Sequence, residues 1–265
     1  MALNPSSERL ADVTGRLRAA GCVFAEDEAR LITEAAATPD DLDALVGRRA
    51  AGEPLEWVVG WAEFRGLRVA VAPGVFVPRR RTELLADEAV ALARGALGRA
   101  VVVDLCCGSG AIGAAVAAAV PDIELHAADI DPVAVRCARR NIGAAGRVHE
   151  GDLYTALPDD LRGRVAVLAV NVPYVPTGDI ALLPAEARDH EPRATLDGGA
   201  DGLDVLRRVA ADAPRWLAPG GALLTEASDR QVPLAHQVLA GAGLVPRVVI
   251  DEDRGATVLT GTRAD

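Results

Sequence analysis

Val101-Val102-Val103-Asp104-Leu105-Cys106-Cys107-Gly108-Ser109-Gly110-Ala111-Ile112-Gly113 is the stretch from which the rest of the chain can be read. Its β-branched opening suits a strand buried on both faces. A tight glycine turn follows, and the alanine-rich segment from Ala111 to Val120 predicts a helix. A strand, a glycine turn and a helix N-terminus in that order form a cradle whose backbone N–H groups can come close to a ligand.

Two cofactors fit such a cradle. Gly108-x-Gly110-x-x-Gly113 matches the dinucleotide fingerprint, and Asp129 stands about where the ribose-binding acid of that fingerprint belongs. Asp104, however, ends the strand just before the turn. A carboxylate there repels a pyrophosphate and attracts a cation. S-adenosylmethionine carries an ammonium and a sulfonium and no phosphate, so the acid before the turn favours it over a nicotinamide.

Composition narrows the class. The 265 residues are 50% hydrophobic, enough for one large core and a small accessory domain. All the basic side chains are Arg, with no Lys anywhere. A net charge of −10 argues against broad binding to nucleic acid, although Arg79-Arg80-Arg81 is a local basic run. The four cysteines, Cys22, Cys106, Cys107 and Cys137, lack Cys-x-x-Cys spacing, so no metal is expected and reduced thiols are. Neither a signal peptide nor a membrane-spanning run is legible, and the expectation is a soluble cytoplasmic protein with no membrane partner.

Three parts are expected along the chain: helices in residues 1–52, a linking β-hairpin in 53–80, and a cofactor-binding domain in 81–265. Ser6 or Ser7 can cap a first helix carrying Leu10, Val13 and Leu17, and a second runs from Glu26 to Ala36 with Leu31 and Ile32 inward. Thr38 and Pro39 open a third with Leu42, Leu45 and Val46 inward. From Glu53 to Pro78, aromatic and β-branched residues around Arg65-Gly66 predict the hairpin, with Trp57, Trp61 and Phe64 in its core. Strand and helix then alternate, with strands at Ile123–Ala128, Arg147–Glu150, Val165–Val170 and Ala222–Thr225. Val175 to Ala200 is expected as a long charged loop, and Val245–Ile250 with Ala256–Gly261 as a closing antiparallel pair. The pattern is that of an α/β protein with a doubly wound, mostly parallel sheet.

Ligands bind such sheets at the carboxyl ends of the strands. Four consecutive ends carry polar groups: Asp104, Asp129, Asp152 and Asn171. Asp129 can accept from ribose hydroxyls, although Asp131 is the better cap for the helix at Pro132. Asp152 can accept from an adenine amino group, with Leu153 against the base. Asn171-Val172-Pro173-Tyr174 is the expected reaction centre. The Asn171 side chain and the Pro173 carbonyl can accept from both N–H groups of an incoming –NH2, with the ring and hydroxyl of Tyr174 beside it.

With these residues stand Arg49-Ala50-Ala51-Gly52-Glu53-Pro54, Gly60-Trp61-Ala62-Glu63-Phe64-Arg65-Gly66, Pro73-Gly74-Val75-Phe76-Val77-Pro78-Arg79 and Glu191-Pro192-Arg193-Ala194-Thr195-Leu196-Asp197-Gly198-Gly199. Together they resemble the class I S-adenosylmethionine-dependent methyltransferases, and within them the N5-glutamine methyltransferases that modify translation release factors. The resemblance implies a seven-stranded sheet and a helical N-terminal domain that docks a release factor, the expected protein partner. It implies Asn171, Pro173 and Tyr174 as catalytic residues. The cofactor site it implies comprises Asp104, Cys106, Gly108, Gly110, Asp129, Ile130, Asp152, Leu153 and Asn171. Three positions depart from the family pattern. Cys106 replaces the first glycine of the turn, Val172 the first proline of Asn-Pro-Pro-Tyr, and Arg80-Arg81 a Pro-Glu pair. Other readings stay open here: another protein, a peptide or a small amide as acceptor, an adenine-N6 methyltransferase, a cofactor-binding regulator, or a nicotinamide oxidoreductase.

Overall fold

Three helices open residues 7–264, the part that the computed structural model describes: α1 (Ser7–Ala19), α2 (Ala25–Ala35) and α3 (Pro39–Ala50). They close a core of their own around Val13, Leu17, Ile32, Leu42 and Val46, with Leu31 only half-buried. The Thr38 hydroxyl accepts from the Asp41 N–H at 3.1 Å, which caps α3 ahead of Pro39. Ser7 is the first residue of α1, and Ser6 lies outside the described residues.

The hairpin is shorter than expected. Leu55–Val59 is a helical turn, α4, entered from Pro54 and stopped by Gly60 at φ 82°, a left-handed conformation suited to glycine. Trp57 is therefore helical. It is buried, and its indole N–H donates to the Val75 carbonyl at 2.9 Å. Strands β1 (Trp61–Phe64) and β2 (Leu67–Ala70) follow, joined by Arg65 and Gly66 at φ 50° and 73°, the two positive values that a tight two-residue hairpin needs. Phe64 is in the core. Trp61 is not: it is half-exposed under the Arg68 guanidinium, 4.1 Å from its ring centroid.

After α5 (Glu83–Gly95) comes the main sheet, formed by β3 (Val101–Leu105), β4 (Glu124–Asp129), β5 (Gly146–Glu150), β6 (Val165–Val170), β7 (Leu217–Glu226), β8 (Leu244–Asp251) and β9 (Ala256–Arg263). Its order is β5-β4-β3-β6-β7-β9-β8, with β9 antiparallel to both neighbours and the other pairs parallel. The helices are α6 (Ala111–Ala119), α7 (Pro132–Ile142), a short α8 (Ala185–His190) inside the expected loop, α9 (Asp204–Trp216) and α10 (Val232–Gly241). Val102 faces the core under α5, α6 and α7, whereas Val101, Val103 and Leu105 face the core under α9 and α10. This alternation makes the sheet doubly wound. Strand β7 begins earlier than its apolar run, because Gly221 lets the chain pass the Val165 carbonyl, where a Cβ would stand 2.5 Å away. Among the described residues no helix is long and apolar enough to cross a membrane.

Candidate active site

The carboxyl ends of β3, β4, β5 and β6 open on one cavity of about 470 Å³, within the size range of a small-molecule site. Asp129, Asp152 and Asn171 line it. So do Cys106, Gly108, Ile130, Leu153, Pro173 and Tyr174. Two expected site residues do not. Asp104 lies beneath the turn, 1% exposed, and Gly110 turns away, where a Cβ would meet Ala138 of α7 at 3.0 Å.

Asp104 Oδ2 accepts from the Gly113 N–H at 2.8 Å, while its Oδ1 has no partner. Burial, only partly offset by that N–H, pushes its carboxyl up to about 7. A half-satisfied buried acid is suited to a cation or a proton. Gly113 is required here, since a Cβ would stand 3.1 Å from Asp104 Oδ2. Cys106 is held at φ 57°, a left-handed conformation that costs a residue with a Cβ about 1–2 kcal/mol. Burial also pushes its thiol up, so it stays protonated and unreactive at neutral pH.

Asp129 is half-buried, and its oxygens accept from the Gly108 N–H at 2.8 Å and the Asp131 N–H at 2.9 Å. The strand end is thereby tied to the turn, and each oxygen keeps a lone pair for a ligand hydroxyl. Asp131 caps α7 by accepting from the Val133 N–H. Ile130 is 65% exposed and Leu153 half-buried, giving two apolar surfaces beside the carboxylates. Asp152 Oδ2 accepts from Arg208 at 2.6 Å, a partner 56 residues away that no local pattern announces.

At the end of β6, Asn171 Oδ1 is buried with no hydrogen-bond partner. The Pro173 carbonyl likewise accepts nothing among the described residues. The segment around it is braced from behind. Gln231 Nε2 donates to the Tyr174 carbonyl at 2.7 Å and to the Asp201 carbonyl at 3.0 Å. Gly198 packs so tightly that a Cβ would stand 2.6 Å from the Pro173 oxygen. The Val175 N–H donates to the Leu196 carbonyl, the Gly198 N–H to the Val175 carbonyl and the Thr177 N–H to the Gly199 carbonyl. Glu191, 4% exposed, accepts from the Val77 N–H at 3.1 Å and from Arg79 at 2.7 Å, joining two segments that the sequence reading left apart.

A second carboxylate, Glu226, is buried beside Tyr174. Its Oε1 accepts from the Tyr174 hydroxyl at 2.6 Å and from Arg81 Nε at 2.7 Å, and its Oε2 from the Thr82 hydroxyl at 2.7 Å. Arg81 also donates to the Tyr174 hydroxyl, from Nε at 3.1 Å and Nη2 at 2.7 Å. Burial and the Glu226 charge push the Tyr174 phenol up, so it remains neutral. Sequence reasoning missed Glu226, Gln231 and Arg208. Each is an ordinary residue of a helix or strand end until the chain folds.

The cavity fits S-adenosylmethionine by the chemistry of its lining: Asp129, a carboxylate with free lone pairs, and the apolar surfaces of Ile130 and Leu153 beside it. A doubly wound sheet with that site at its strand ends defines an S-adenosylmethionine-dependent methyltransferase. The family model for the methyltransferase small domain matches residues 67–178. The ribosomal protein L11 methylase of Lactobacillus delbrueckii subsp. bulgaricus shares the fold, with a TM-score of 0.53 at 15% identity over 74% of this chain and 86% of that one. Release factor glutamine methyltransferase of Geobacter sulfurreducens is 37% identical over 231 residues, 85% of this chain and 79% of that protein. The 4-amino-L-phenylalanine/4-methylamino-L-phenylalanine methyltransferase of Streptomyces pristinaespiralis is 36% identical over 258 residues, 89% and 88% of the two chains. The chain belongs to the release factor glutamine methyltransferase family.

Proposed function

We propose that this enzyme methylates the side-chain amide nitrogen, N5, of a protein glutamine, in the Gly-Gly-Gln tip of a peptide chain release factor. The observation that carries the reading is Asn171 Oδ1, a buried acceptor with no partner, next to the equally unoccupied Pro173 carbonyl. Leaving such a group unpaired costs about 1–3 kcal/mol, which an incoming N–H would recover.

S-adenosylmethionine supplies a methyl group already activated on a sulfonium, so the residues of the chain have to bind, orient and exclude water. Asn171 and Pro173 accept from the two amide N–H groups and fix the nitrogen. They also favour the positive charge that develops on it. Tyr174 supplies the wall beside it and, hydrogen-bonded through its hydroxyl to Glu226 and Arg81, takes no proton. Asp129 accepts from the ribose hydroxyls, and Asp152, Leu153 and Ile130 surround the base. Cys106, Gly108 and Gly110 shape the turn, with Asp104 beneath it. Residues 1–52 dock the protein substrate, 53–80 link, and 81–265 carry the chemistry.

Release factor, its Gln→Glu variant and a lysine-containing peptide, offered side by side with S-adenosylmethionine, test the reading by mass spectrometry. Methyl gain on the release factor alone is expected. Labelling of the lysine peptide, or equal labelling of the Gln→Glu variant, would rule it out. A second acceptor class, a free amino acid bearing an aromatic amine, follows from the relative of Streptomyces pristinaespiralis. At Val172, buried beside Asn171, the chain keeps a backbone N–H that a proline would lack, and no described residue accepts from it.

A further inference from the structure

We propose that Arg81 is the binding point for an acidic group of the acceptor substrate, a carboxylate carried close to the nitrogen that Asn171 holds. The inference rests on the methyltransferase reading above and on its second acceptor class, since a free amino acid carries an α-carboxylate whereas a glutamine within a Gly-Gly-Gln tip does not. Arg81 lines the same cavity as Asn171, and its side chain is 44% exposed although its partner Glu226 is only 3% exposed. Of the five N–H donors of a guanidinium, its bonds to Tyr174 and Glu226 use the edge formed by Nε and Nη2. Both N–H groups of Nη1 and the second of Nη2 are left, and the latter with one of the Nη1 pair forms the fork that receives a carboxylate bidentately.

Glu226 does not use up that capacity. Its oxygens are already met by Tyr174, Thr82 and the inner edge of Arg81. The neighbouring cations divide in the same sense. Arg79 is held by the buried Glu191, whereas Arg80 is exposed with no partner among the described residues. Glu186, an acid lining the cavity, shares Arg49, at 3.2 Å, with the buried Glu28. Arg80 and the outer edge of Arg81 therefore keep N–H donors with no partner among the described residues. The Nε–Nη2 edge keeps the guanidinium in place, so little side-chain freedom is lost when an anion arrives.

The test uses two probe pairs that differ only by a carboxylate. One is Gly-Gly-Gln with its free α-carboxylate against Gly-Gly-Gln-amide. The other is 4-aminophenylalanine against its carboxamide. Each is titrated by ligand-observed NMR into the protein saturated with S-adenosylhomocysteine, so affinity is read without turnover. At least one acid should bind ten-fold or more tighter than its amide, and the difference should shrink with added salt. Arg81→Gln should abolish the difference, and Arg81→Lys should restore part of it, as a point charge without the fork. Unchanged S-adenosylhomocysteine affinity in both variants verifies that they fold. Equal binding within both pairs, binding of no probe, or a preference that survives Arg81→Gln overturns the proposal. A carboxylate preference without methyl transfer to glutamine leaves the anchor standing and removes the glutamine reading instead.

Discussion

On the proposed function, Asn171 and Asp129 divide the site between acceptor and donor, and each can be tested alone. Asn171→Ala should lower kcat by one to two orders of magnitude, an effect of about 1.4–2.7 kcal/mol, while calorimetry finds cofactor affinity unchanged. Asp129→Ala should do the reverse and weaken S-adenosylmethionine by about 1–3 kcal/mol, because the Gly108 and Asp131 N–H groups lose their acceptor along with the ligand. Asp104 makes a pH-dependent contribution whose sign is opposite to that of an ion-paired carboxylate. Its folded pKa, about 7, lies above the ordinary carboxyl value of 3.8. The stability it allows is complete below the unfolded value and is lost as pH rises through the folded one. Between pH 5 and pH 8 the loss is about 2–3 kcal/mol, and the difference in unfolding free energy between wild type and Asp104→Asn should change by that amount. A pH-independent difference would remove the buried acid from the account. Cys106 belongs at this scale as well: held at φ 57°, it should give way to Cys106→Gly with no loss of stability in thermal melts.

The element that matters most is the segment after β6, which works because other segments hold its back. Gly198 and Gly202 let main chain pass main chain, since Cβ atoms there would stand 2.6 Å from the Pro173 oxygen and 2.2 Å from the Tyr174 oxygen. Gly198→Ala must therefore displace the carbonyls a Cβ would meet, Gly202 at 2.5 Å and Pro173 at 2.6 Å. The expected outcome is a turnover loss of at least ten-fold with far-UV circular dichroism and cofactor binding intact. Retained activity would show that the Pro173 carbonyl does not orient the acceptor. Gln231, just before α10, works by the same logic, with one amide nitrogen tying two carbonyls from segments far apart in the chain.

At the scale of the whole molecule, Arg49 joins the N-terminal helices to α8, whose Glu186 lines the cavity. Arg49 of α3 donates to Glu28 of α2 at 2.6 Å and 3.2 Å and to Glu186 of α8 at 3.2 Å. Glu28 is 7% exposed, so Arg49→Met would strand a buried carboxylate, at a cost on the order of 3 kcal/mol. A lower melting temperature is expected, with faster proteolysis near α8 as the direct sign that the helices brace that segment. An unchanged cleavage pattern would separate the two roles.

What could be read from the sequence alone was what local chemistry repeats. Three valines followed by a glycine turn specify a buried strand and its cradle, helical spacing specifies α1 to α3, and the four polar strand ends specify where a ligand sits. These signals lie within a few residues of one another, which is the range over which periodicity and turn chemistry act. The helical turn at Leu55–Val59 escaped because its apolar run is too short for helix and strand periods to differ. The folded chain alone decided which polar strand ends face the cavity, with Asp104 beneath the turn and Asn171 in the wall. It also decided the pairs Asp152–Arg208, Arg79–Glu191 and Arg81–Glu226, whose members are 56, 112 and 145 residues apart. Contacts at such separations depend on sheet order and on how elements pack, and no local pattern carries that information. Three consecutive arginines look alike in the sequence; burial of Glu191 and Glu226 on either side is what gives Arg79, Arg80 and Arg81 three different fates.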